Sequence, residues 1–162
     1  MRFSNVRSLV GWAFQIETTS MIKVQKFAEA QSPSFGDLSP MDLKTQSAFV
    51  MAKIARLPFE ERAVLWCLHV QRETEIIYLS TKTPQRWGMN TDKDIIRKWC
   101  TGEGLGCRDI GDRHSVHYST ANRYENEVIR GVEVWMHKAY ATLEIQHRPL
   151  LDRLIYAERL TA

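Results

Sequence analysis

The chain has 162 residues, 44% hydrophobic and 25% charged, the balance of one ordinary domain that buries a core without disulfide or metal staples. Its formal net charge of +3 and pI near 8.8 suit a polyanionic partner but are too mild to establish one. Three cysteines, Cys67, Cys100 and Cys107, leave one over after any pairing and no C-x-x-C occurs, which argues against a secreted disulfide scaffold and for a reducing cytoplasm.

Met1 to Asn5 leads straight into an amphipathic segment, with no signal-peptide pattern, and the apolar cluster Ala63 to Leu68 is too short to span a bilayer. Asn5 is placed to cap a helix whose apolar stripe is Val6, Leu9, Val10 and Ala13, flanked by Trp12 and Phe14. Met21 to Phe27 alternates like a half-buried strand, while Phe27 to Ala30 also suits a helix, and both readings stay open. Gln31 to Leu38 is a loop by composition.

Ser39-Pro40-Met41-Asp42 combines a capping hydroxyl, a proline where no amide is needed and an acid in the first turn, so a helix is expected from there to about Arg56. Leu57-Pro58-Phe59-Glu60-Glu61-Arg62 repeats the signal and starts a helix with apolar positions Ala63, Val64, Trp66, Cys67 and Val70. Glu75 to Leu79 fits a short strand or a helix end, and Thr83-Pro84-Gln85 is a break. Thr91-Asp92-Lys93-Asp94 is expected to cap the next helix, which carries Ile95, Ile96 and Trp99 and ends at Thr101-Gly102-Glu103-Gly104.

Between Gly104 and Arg130 the pattern is helix, tight turn, helix. A DNA-reading unit of this kind needs an apolar and then a small residue in its first helix, and Ile110 and Gly111 fill those places. Val116 is the buried aliphatic of the turn and Ser119 the expected cap. Ala121, Tyr124 and Val128 face inward on this reading. Asn122 and Arg123 are then left for base edges, with Arg108, Arg113, Thr120 and Arg130 for phosphates and His117 and Tyr118 beside them.

This stretch resembles the helix-turn-helix of the fourth region of sigma factors, and Leu57-Pro58 through Leu65 is similar to that family's "LP…ER.VL" helix start. The two stretches make up about a fifth of the chain. The departures are Gly111 where the family has alanine, His114 where it has leucine, Ser115 where glycine makes the turn, and Ala121 where a larger aliphatic stands. The architecture is also similar to phage-encoded Q-type late antiterminators. The resemblance implies double-stranded DNA and RNA polymerase as partners, transcription regulation including antitermination as the role, and a bacterial host cytoplasm as the place.

Competing sites are weaker. Cys100, Cys107, His114 and His117 form a C-x6-C-x6-H-x2-H series of zinc-compatible type, but the first spacing is too wide for a knuckle. Cys67 and His69, two apart on a helix, do not face each other, and Gly102 to Gly106 lacks the lysine and hydroxyl of a phosphate loop. Glu60, Glu61, Asp92 and Asp94 are explained as first-turn acids. No enzyme, metal or cofactor is expected.

Beyond Arg123, Val128, Val132, Trp135 and Ala139 or Leu143 recur up to Pro149, roughly six to seven turns at about 3.6 residues each, with a bend or early end possible at Gly131. Leu150, Leu151, Leu154, Ile155 and Leu160 suggest a separate last helix that packs internally or makes a homodimer contact. The expected whole is a mainly α protein of roughly five to seven helices, with a minor strand pair possible. Its expected divisions are residues 1–103, a helix-turn-helix at 104–130 and C-terminal helices at 131–162, forming one compact domain. Two other readings use the same scaffold: a protein-binding adaptor or inhibitor without DNA contact, and a DNA-binding protein of phage packaging or assembly.

Overall fold

The computed structural model describes Phe3 and residues 5–19 and 40–159, with side chains as far as Pro149. The protein is mainly α. Among the described residues there are seven helices and no strand: α1 (Val6–Thr18), α2 (Pro40–Ala55), α3 (Phe59–Val70), α4 (Glu73–Ser80), α5 (Met89–Thr101), α6 (Cys107–Arg113) and α7 (Tyr118–Arg159). No described helix is long and apolar enough to cross a membrane. Residues 21–38, where strand, helix and loop readings fell, lie outside the described residues.

The chain divides into two compact units. One joins the chain up to Arg56 with α7 from Thr142, and the other is Leu57–Ala141. In the first unit Asn5 caps α1 as expected: its Oδ1 accepts from the Ser8 amide at 2.9 Å, and the Ser8 hydroxyl accepts from the Asn5 amide at 3.4 Å. The stripe Val6, Leu9, Val10 and Ala13 is buried, together with Trp12 and Phe14. Leu43, Val50 and Ile54 of α2 and Leu143 of α7 are buried in the same unit. Burying a large apolar side chain of this sort contributes about 1.5–3 kcal/mol.

The second unit is built on Val64, Cys67, Ile76, Leu79, Ile95, Ile96, Ile110, Tyr124 and Val128, all at or below 1% exposure. Of the two readings left open for Glu75 to Leu79 the helix holds, because Ile76 and Leu79, three apart, reach the core on one face. Two expectations are corrected here. Helix α5 starts at Met89 after Gly88, so Thr91 and Asp92 are inside its first turn and both are buried. Leu65 is buried on α3, whereas Trp66 is only half-buried and lies under the Arg72 guanidinium at 3.7 Å. Cys67 and Cys100 are neighbours. Their hydrogen bond, and then burial, pushes the Cys67 thiol up, while the same hydrogen bond draws Cys100 down against the effect of burial.

Helix α7 also departs from expectation: it runs unbroken through Gly131 and Pro149, and the separate last helix does not exist. No atom stands within 4 Å of where a Gly131 side chain would be, so that glycine marks no close crossing. Pro149 removes the amide that would bond to the carbonyl of Ile145, a residue 73% exposed, and a lost helix bond costs least on such a solvent-facing stretch.

Burial, reinforced by the Lys53 charge, pushes His147 down to about 4. Its folded value is below its unfolded value near 6.5, so the unfolded chain takes up the proton first and stability falls as pH drops from about 6.5 to about 4. Burial lowers His69 as well, adding a contribution of the same sign. We expect acid titration of unfolding free energy to show this loss, up to about 3 kcal/mol from His147, and His147→Gln to flatten it. An unchanged slope in that variant would contradict the assignment.

Candidate nucleic-acid interface

Helix α6 opens at Gly106, whose amide donates to the Asp109 carboxylate at 2.8 Å, placing an acid at the positive end of the helix. Its exit is a Schellman turn. The Val116 amide bonds back to the Gly111 carbonyl at 2.9 Å and the Ser115 amide to that of Asp112 at 3.3 Å. Ser115 occupies the left-handed position, φ +54°, that glycine usually takes. Its short polar side chain tolerates that conformation at a cost.

Gly111 is fixed by a close approach. A Cβ there would be 2.8 Å from the Val116 carbonyl oxygen and 3.5 Å from the Tyr118 backbone, so even alanine is too large. The chain can therefore fold back and start α7 directly against α6. Val116 packs against the core, and Ala121, Tyr124 and Val128 are buried, as the spacing predicts. The cap is different from the expected one. His117, not Ser119, precedes the helix: its carbonyl accepts from Thr120 and Ala121, and its Nδ1 accepts from the Ser119 amide at 3.3 Å.

A polar and aromatic cluster holds α7 in place. Tyr124 donates to Asp92 Oδ1 at 2.7 Å and accepts from the Arg86 amide at 2.8 Å, while Asp92 Oδ2 accepts from the Gln85 amide at 2.9 Å. Burial and the Asp92 carboxylate push the Tyr124 phenol well above its usual range, so it stays a donor. Trp87 meets Tyr124 edge-on at 4.8 Å and stacks on His114 at 5.1 Å, and His114 shares a hydrogen bond with Thr91 at 2.9 Å. His114 thus packs as a flat ring with one polar contact. Farther along, Lys98 of α5 pairs with the buried Glu125 at 2.6 Å.

At 3.6 residues per turn, Ser119, Asn122, Arg123, Asn126 and Arg130 share the face opposite Ala121, Tyr124 and Val128. All five are exposed. Arg108, Arg123 and Arg130 have no carboxylate partner among the described residues. Arg113 does have one: its guanidinium lies 2.9 Å from Asp94, which also holds Arg97. Tyr118 and Thr120 flank the face, Tyr118 being 54% exposed with its ring against His117. Asn122 is held by two neighbours, its Oδ1 accepting from Asn126 at 3.4 Å and from the Cys107 thiol at 3.8 Å.

Sequence reasoning missed Asn126, although its place four residues after Asn122 was a usable signal. It also left Asp92 as a helix-start acid, and nothing in the sequence marks its pairing with a tyrosine 32 residues away. Cys100, Cys107, His114 and His117 are not brought together. No group of three or more potential ligands occurs among the described residues, and the two imidazoles face Thr91 and Ser119.

The two sides of the turn respond oppositely. Gly111→Ala is expected to cost more than about 1 kcal/mol, as overpacking against backbone does, and Ser115→Gly to gain up to about 1 kcal/mol by relieving left-handed strain. Thermal unfolding of both variants checks this, and a neutral Gly111→Ala would disprove the close crossing. No protein-family model, curated protein or solved structure matches this chain.

Proposed function

We propose that this chain is a sequence-specific double-stranded DNA-binding protein acting in transcription regulation, with the first turns of α7 as its reading element. The observation that carries the reading is the pairing of a close α6–α7 crossing at Gly111 with an outward α7 face of two asparagines, two arginines and a serine. A reading helix must be packed from behind and turn its early side chains outward, and the buried Ala121, Tyr124 and Val128 with the exposed Asn122 and Arg123 support both.

The roles follow from side-chain chemistry. Asn122 presents an amide that pairs with adenine, and Arg123 a guanidinium that pairs with guanine through two hydrogen bonds. Arg108, Arg130 and Thr120 suit phosphates, as do His117 and Tyr118 at the helix start. Arg113 is already shared with Asp94 and is a weaker phosphate ligand than the others. The modest positive charge favours a homodimer, since one short helix makes few base contacts. The resemblance extends the proposal to a phage-encoded regulator or antiterminator that works with RNA polymerase, by binding and without chemistry of its own.

Selection of bound duplexes from a random pool should enrich a defined sequence, as an inverted repeat if the protein binds as a dimer. Arg123→Ala should lose about 1–3 kcal/mol on that sequence and relax its preference, whereas Arg130→Ala should weaken all duplexes alike and shallow the salt dependence by about one phosphate. Helical circular dichroism should be unchanged in both. A pool without enrichment, or wild-type discrimination in an Asn122→Ala/Arg123→Ala double variant, overturns the assignment.

A further inference from the structure

Two thiols meet in the core of the second unit. Cys67 lies on the buried face of α3 with Ala63 and Val64, three and four residues before it, and is 0% exposed. Cys100 follows the buried Ile96 by one turn of α5 and packs against the same core. Both are free thiols of the Leu57–Ala141 unit, and a hydrogen bond joins their side chains. The third cysteine is engaged elsewhere: Cys107 opens α6, and its thiol donates to Asn122 Oδ1 at 3.8 Å.

The paired sulfurs differ in access and in charge. Cys100 is half-buried, with its thiol donating to the Arg97 carbonyl at 3.3 Å, whereas Cys67 is closed to solvent. The hydrogen bond from Cys67 holds the Cys100 thiol below its usual range; burial opposes this, and the Arg97 guanidinium assists. Cys67, which keeps its proton to make that bond, is pushed up. A thiolate is the form that attacks oxidants, so Cys100 is the reactive sulfur and Cys67 the sheltered one. Oxidant-sensing cysteines have this arrangement, an accessible sulfur that ionises readily with a resolving thiol at its side.

We propose that Cys100 and Cys67 form a redox site that takes a hydroperoxide as oxidant and closes a disulfide between α3 and α5. The Cys100 thiolate attacks a peroxide oxygen, the S–O bond forms as the O–O bond breaks, and the departing oxygen takes up the proton that Cys100 released. Cys67 then attacks the sulfur of the Cys100 sulfenic acid. The S–S bond forms as the S–O bond breaks, and the hydroxide leaves as water with the Cys67 proton. The two thiols lose two electrons and the peroxide gains them. The sulfurs have to close from hydrogen-bond contact to about 2.05 Å, and a small thiol reverses the change by exchange. The site uses no residue of the outward α7 face, so it stands whether or not that face reads DNA.

The test is mild oxidation of the reduced full chain with hydrogen peroxide, then thiol counting in denaturant and peptide mapping without reductant. Free thiols should fall from three to one. The Cys67 peptide should be joined to the Cys100 peptide within a single chain, and dithiothreitol should restore all three thiols. Cys67→Ala removes the resolving sulfur, so dimedone should trap Cys100 as its sulfenic acid. Cys100→Ala should leave Cys67 reduced at the same dose. Helical circular dichroism checks that both variants fold, and the wild-type map is decisive without them. A disulfide that involves Cys107, one that links two chains, or three thiols surviving a dose that consumes free cysteine would each overturn the proposal.

Discussion

Asp92 is wholly buried, and its two oxygens are held by a phenol from α7 and a backbone amide from the segment between α4 and α5. Removing a carboxylate from water is costly unless its lone pairs are met by donors, and Tyr124 and the Gln85 amide meet them without any cation. The same phenol accepts from the Arg86 amide, so one oxygen ties a loop, the start of α5 and the second turn of α7 together. Because Tyr124 lies opposite the exposed Asn122, Arg123 and Asn126, fixing it also fixes the direction in which those side chains point. The rest of the candidate interface hangs on this bond.

The supports around it are of different physical kinds. The stacked Trp87 and His114 rings supply area and shape, the Lys98–Glu125 pair supplies a charge contact whose carboxylate is buried, and the Gly111 crossing sets the distance between helices. Loss of one partner in a buried pair typically costs 3–5 kcal/mol, more than either surface pair of Asp94 contributes. Helix α5 provides both Asp92 and Lys98, six residues apart, and so acts as the fixed rail for α7. The turn itself needs little energy to hold once that rail is in place.

Much of this was legible from residue order. The apolar spacing in α1, α3 and α7 reports burial directly, because a stripe at threes and fours has one stable use in a helical protein. The place of Gly111 was readable from what a close helix crossing needs, an apolar and then a small residue. Caps were less so: three polar residues in a row, His117, Tyr118 and Ser119, offer several hydroxyl or nitrogen acceptors, and the backbone chose the imidazole. Helix α4 has only eight residues, too few to show a period. The continuity of α7 was hidden by Gly131 and Pro149, whose local penalties are outweighed by helical context on either side. The Asp92–Tyr124 bond joins residues far apart in sequence, and no local pattern encodes it.

The contrast between Gly111 and Ser115 bears on how such a chain changes over generations. At Ser115 the demand is a backbone angle that asparagine, aspartate and glycine also adopt, so the position can drift among several residues at small cost. At Gly111 the demand is the absence of any side-chain atom before a carbonyl oxygen, and one amino acid alone satisfies it. Four residues apart in one turn, the two sites have very unequal freedom. Lineages that keep this crossing keep a glycine there, and a lineage that loses it must first move α7 away.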